Sequence, residues 1–248
     1  MIAPALLTSF WGAQLHAGGT PPQRAERYFL TARTHLQSQS TNVAAQWKFG
    51  RACFDWAEFA EDNKQREEIA NQGIEACRNA VARQPKLIEG HYYLAMNLGQ
   101  LARTKSLGAL KLVNEMEKEF QLAHSLDEKF DFAGPDRNLG LLYLQAPGWP
   151  TSIGSRSKAR HHLERAAKLN PNYPENRLNL IEANLKWGDK TGAQREFKAL
   201  KELWLAAKNE FSGESWELSW TDWEKRRKTV ESKVAEAGKT LAVPNGKK

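Results

Sequence analysis

The sequence predicts an all-α fold, a solenoid of about four helical hairpins with a capping helix at each end. Three observations predict it. Apolar residues recur at helical spacing through most of the chain, prolines fall mostly between those stretches, and a spaced set of small and large residues returns four times. With 41% hydrophobic and 26% charged residues in a chain of 248, the composition is that of a folded protein able to bury a sizeable core.

The N-terminal stretch, "MIAPALLTSFWGAQLHAGGTPPQ", is apolar from Ile2 to Trp11 but too short to span a membrane. Leu15-His16-Ala17 before Gly18-Gly19 has the small-residue character of an export cleavage site, although no positive segment precedes it. Residues 1–19 are therefore expected to be a truncated export signal, with a frayed tail as the alternative, and residues 20–240 a single helical domain. A leading helix follows Pro21-Pro22, carrying Tyr28, Leu30 and Leu36, and is expected to cap the stack.

The repeats run from about residue 41 to 204. Leu139-Gly140-x2-Tyr143, Ala159-x3-Leu163 and Pro171 form one unit. Phe49-Gly50-x2-Cys53, Gly73-x3-Cys77 and Pro85 form another. Between them lies a more degenerate unit, Leu94-Ala95-x2-Leu98 with Met116-x3-Phe120. A compact fourth has Gly188 at its turn and Ala193-x3-Phe197 after it. This is the tetratricopeptide pattern, in which small residues let two antiparallel helices approach, large ones fill the gap and proline stops the second helix.

The departures from that pattern fall at one corner. The first three units carry extra residues between their two helices, within Asp55 to Gln72, Gln100 to Asn114 and Ala146 to Ser157, and the fourth carries none. Equivalent corners of a solenoid line up along one edge, so these insertions should gather on one rim. The first stays helical in pattern. The third, "APGWP", cannot, because Pro147 and Pro150 stiffen it; Trp149 either packs beneath that loop or is presented at its tip. At the C-terminal end Trp216, Trp220, Trp223, Val230 and Val234 share one helical face. They predict a cap over about residues 215–237, with partner or membrane-surface docking as the other reading, followed by a disordered tail at 241–248.

The pattern puts first-helix side chains on an inner groove: Trp47, Arg51 and Phe54, then Tyr92 and Met96, Arg137 and Leu141, Leu178 and Glu182. Trp47 and Leu141 fit internal packing better than the groove. Arg51, Phe54, Tyr92, Met96, Arg137, Trp149 and Glu182 are the candidate ligand or partner residues. An arginine fork among apolar side chains suits an extended peptide or a small amphipathic anion. Lys and Arg (36) exceed Asp and Glu (29), a net charge of +7, but the signs are interspersed and no basic stripe with aromatics or nucleic-acid module occurs. No nucleic acid is expected as partner. Cys53 and Cys77 sit on apolar faces, and two buried thiols explain them better than a bridge. Adjacent His161-His162 point in different directions, the wrong spacing for a shared metal, and His91 fills the slot of the pattern's tryptophan. Ser155 or Ser157 reads as a helix cap. No activated nucleophile or acid-base pair stands out, so no catalytic, cofactor-binding or metal residue is assigned and the chain reads as non-enzymatic.

The runs "HYYLAMNLG" and "AGPDRNLGLLYLQAPGWPTSIGSRSKARHHLERAAKLNPNYPENRLNLIEANLKWGD", within about Trp47 to Trp204, resemble the T component of tetratricopeptide-associated TRAP transporters, a bacterial family. The resemblance implies a periplasmic helical protein that works with the solute-binding protein of a transporter for small organic acids or hydrophobic solutes, and that assembles as a homotrimer. Members are often lipoproteins, whereas no cysteine follows the apolar N-terminal segment here. A general protein-interaction scaffold, cytoplasmic and unrelated to transport, is the reading from the repeats alone.

Overall fold

The computed structural model describes residues 18–105 and 108–241. The apolar N-terminal segment ahead of Gly18 and the tail from residue 242 lie outside them. The described chain forms α1 (Pro21–Ser38), α2 (Val43–Ala57), α3 (Asn63–Arg83), α4 (Ile88–Arg103), α5 (Ala109–Leu126), α6 (Phe130–Gln145), α7 (Arg156–Leu169), α8 (Pro174–Lys186), α9 (Lys190–Glu210), a 3-10 turn (Glu214–Trp216) and α10 (Glu217–Leu241). The starts follow from local chemistry. Asn42, Asp62, Ser155 and Asp189 each accept a hydrogen bond from a backbone N–H of the following first turn. At the fourth hairpin's turn Gly188 has a φ of 74°, which glycine adopts without steric cost.

Helices α2/α3, α4/α5, α6/α7 and α8/α9 pair as four antiparallel hairpins and stack in order, with α1 on α2 and α10 on α8 and α9. The close approaches are those the small residues license. A Cβ added at Gly50 would lie 2.1 Å from Cys77 Sγ, and one at Gly140 would lie 2.7 Å from Leu163 Cγ. Both cysteines are buried and free, and burial raises both thiol pKa values, so neither is a reactive thiolate. At the end of the stack Trp216 of the 3-10 turn and Trp223, Val230 and Val234 of α10 are buried against Tyr173, Phe197 and Phe211, with Trp220 half-buried beside them, so the stripe packs inward. The cap begins with the short turn at Glu214 and runs on to Leu241.

The three longer corners lie along one edge. Arg103, at the end of α4, pairs with Glu58 after α2 at 2.9 Å, and Lys105 pairs with Glu67. Tyr143 of α6 donates to Glu117 of α5, and Lys186, at the end of α8, donates to the carbonyl of Leu144. The two ends of the stack also touch. Arg24 on α1 donates to Glu214 Oε1 at 3.0 Å and to Glu217 Oε2 at 2.8 Å.

Gly50→Ala and Gly140→Ala test the close helix approach. Each is expected to lower unfolding free energy by about 1–3 kcal/mol, because backbone or a packed side chain must shift to admit one methyl group. Urea denaturation of each variant against the parent chain measures it.

Candidate functional site

The inner side of the stack, where the first helices of the repeats meet, holds a cavity of about 310 Å³. Helix α2 contributes Trp47 and Arg51, and α4 contributes Glu89 and Tyr93. The segment entering α6 contributes Asp127, Lys129, Phe130 and Asp131. Trp47 stacks on Tyr93 with ring centroids 6.1 Å apart and planes 5° from parallel, and the Arg51 guanidinium lies 6.0 Å from the Tyr93 ring centre. The cavity thus has an apolar wall of stacked rings and a charged rim of both signs.

The floor of this cavity depends on an uncommon backbone. Asp131, Phe132 and Ala133 have φ values of 50°, 56° and 62°, a full left-handed turn without glycine, and each costs about 1–2 kcal/mol of steric strain. Arg137 holds it in place. Its Nη1 donates to the carbonyls of Asp131 and Phe132, each at 3.1 Å, and its Nη2 meets Asp131 Oδ2 at 2.8 Å. Tyr92 donates to the same oxygen at 2.5 Å, and Asn138 donates to the Tyr92 hydroxyl. Gly134 is required here, since a Cβ would lie 2.5 Å from that hydroxyl. On its other side the turn sends Phe132 to stack on Tyr173 at 4.6 Å and to meet Trp216 edge-on at 5.7 Å. One turn therefore joins the cavity to the C-terminal cap.

This geometry corrects the repeat-based map of the groove. Arg51 does line the cavity, and Trp47 both packs on Tyr93 and lines it. Phe54 is buried between helices, Tyr92, one residue before Tyr93, is buried under the left-handed turn where it donates to Asp131, and Met96 is buried in the same core. Leu141 and Leu178 are core. Arg137 is closed inside by Asp131. That contact takes up the Arg137 fork, so it is not offered to a carboxylate ligand, while Arg51 lies 3.6 Å from Asp55 through Nε. Glu182 is engaged by Arg226 of α10 at 2.9 Å, because the cap lies across that end of the groove. Trp149 stands apart on the rim and is 89% exposed. The pattern missed Glu89, Tyr93, Asp127, Lys129, Phe130 and Asp131. The signal for the last four lay in "DEKFDFAGPDR", where a glycine and a proline interrupt a helix amid aspartates, but no repeat position predicts a reversed backbone twist; Glu89 and Tyr93 of α4 carried no such mark.

The histidines have structural partners. His91 is buried, with Nδ1 2.6 Å from Glu119 and Nε2 2.9 Å from the carbonyl of Pro85. His162 stacks on Tyr143 and meets the buried carboxylate of Asp136 at 2.7 Å. Among the described residues no cluster could hold a metal ion, and no helix is long and apolar enough to cross a membrane.

Comparison with known proteins bears on this architecture. A thermophilic TPR protein from Thermus thermophilus superposes with a TM-score of 0.56 at 19% identity, over 75% of this chain and 90% of that one. MamA superposes with a TM-score of 0.54 at 18% identity, over 75% and 92%. The fold is TPR-like. At these identities the likeness speaks for the fold alone. A family model described as regulator of microtubule dynamics protein 1-3 matches residues 13–133, a little under half of the chain, ending in the left-handed turn. No curated protein matches.

The buried charges set both the stability of this site and its pH dependence. Arg137→Ala strands the Asp131 carboxylate and releases the strained turn, with an expected loss of about 3–5 kcal/mol in urea denaturation and a smaller loss for Arg137→Lys. Burial pushes Asp55 up to about 7 against the pull of Arg51, and Glu175 up to about 7 against Arg137 and Arg226; the hydrogen bond to Glu119 raises His91. A group whose folded pKa is raised adds stability that is full below its unfolded pKa and is lost as pH rises through the folded one. For the two carboxyls that loss runs from about pH 4 to about pH 7, and His91 extends it above about 6.5. The urea midpoint is therefore expected to be higher at about pH 5 than at about pH 8, with a smaller difference in Asp55→Asn.

Proposed function

We propose that the chain is a TPR-like interaction scaffold that binds an extended segment of a partner protein in its inner cavity. The observation that carries this reading is the cavity itself. A stacked Trp47–Tyr93 wall can take an apolar side chain, while Glu89, Asp127 and Lys129 on the rim can meet the polar backbone and charges beside it. Because Arg51 and Arg137 are already engaged by the protein's own carboxylates, an amphipathic segment suits the site better than a small organic anion. The contact between Arg24 and the start of α10 narrows the approach and favours an extended strand over a folded domain. The family-model match over the first two repeats, whose description names a regulator, supports a role exerted through protein contacts.

The accessory role beside a transporter's solute-binding protein, with the export it implies, rests on the resemblance of the "GPDR" to "YPENRL" stretches. Retention of a purified solute-binding protein on the immobilised chain would carry that role, and its absence would remove it.

Selection of short random peptides displayed on phage against the immobilised chain tests the groove reading. Enriched peptides are expected to lose about tenfold or more in affinity for Trp47→Ala, the loss typical of an aromatic anchor. Peptides that bind Trp47→Ala and the parent chain equally well would remove the reading.

A further inference from the structure

We propose that Trp149 anchors a second docking surface, on the rim, for a protein partner that presents an apolar socket edged by carboxylates. The side chain is 89% exposed in a protein that buries Trp216 and Trp223, and it sits on a loop built to keep its shape. Gly154 N donates to the Pro147 carbonyl at 2.8 Å, Thr151 N to that of Gly148 at 3.0 Å, and Ser155 N to that of Tyr143 at 3.0 Å. Ile153 anchors the loop in the main core. A Cβ at Gly154 would lie 2.1 Å from the Ala146 carbonyl, so only glycine closes the base. Holding a large apolar side chain in water on an ordered loop gives nothing to folding. It does lower the ordering cost of binding, and tryptophan is the residue type most enriched among the anchors of protein interfaces.

The charges at the loop's base decide the partner's chemistry. Arg156 donates to the Trp187 carbonyl at 3.2 Å and stacks over the Trp187 ring, and Lys186 donates to the Leu144 carbonyl at 3.1 Å. No carboxylate among the described residues forms an ion pair with either, so both positive charges at the base of the loop that carries Trp149 lack an acidic partner. Lys158 and Arg160 do have acidic partners, Glu117 and Asp189. A partner with carboxylates around its socket gains both steering and orientation from that pair of cations. This surface lies where first helices end, whereas the cavity is at the start of α4 and α6, so the two sites are independent.

The test places a photo-reactive amino acid at Thr151, which leaves Trp149 intact, in the full chain in its native cells. Leu205, an exposed apolar residue of α9, is the control position. The protein captured at 151 and not at 205 is then purified and titrated with parent and variant chains. Trp149→Ala is expected to raise Kd at least about tenfold, and the double change Arg156→Glu, Lys186→Glu by about as much. Added salt is expected to weaken binding to the parent chain, while Leu205→Ala, at an exposed residue of neither site, leaves it unchanged. Equal capture at both positions, capture of a lipid or of a second copy of the chain, or a partner whose affinity Trp149→Ala does not alter would each overturn the proposal.

Discussion

The buried pair of Asp131 and Arg137 constrains more of this molecule than any other contact. Three successive residues twisted the wrong way for L-amino acids persist only because a guanidinium binds two of their carbonyls and the side chain of the first. Tyr92 and Asn138 complete the network from α4 and α6. A charge pair in such a place adds little net stability over an apolar core, because desolvation offsets most of the attraction. It does specify one backbone path where an apolar cluster would tolerate several. That path brings Asp131 to the inner cavity and Phe132 to the aromatic cluster under the cap, so one turn links the cavity to the cap.

The inner side and the rim then divide the work. The inner side combines stacked rings with a mixed-charge border, and its arginines are occupied by neighbouring carboxylates. The rim collects the longer corners of the first three hairpins, and among the described residues its Trp149 is the large aromatic side chain left in water. Both arrangements are consequences of packing: first helices face inward and the hairpin corners align along an edge.

Much of the architecture was legible in the residues because its signals are local or periodic. Gly50, Gly73 and Gly140 mark where helices touch, Pro85 and Pro171 mark where they stop, and the tryptophan and valine spacing near the C-terminus marks a buried face. The site was far less legible. Repeat spacing placed Arg51 and Trp47 on the inner side, but it pointed to Tyr92 where Tyr93 lines the cavity, and it offered Arg137 and Glu182 as open when Asp131 and Arg226 hold them.

The sequence by itself determined that helices pair and stack, since helical period, small-residue contacts and proline stops act within one or two turns of chain. Only the tertiary structure decided which charges are already spoken for, that Trp149 lies outside the core, and that Arg24 meets Glu214 and Glu217 across nearly the whole chain. The physical reason is distance along the chain. A charge or an aromatic ring finds its partner through space, and no local spacing records which distant residue the folded backbone will bring to it.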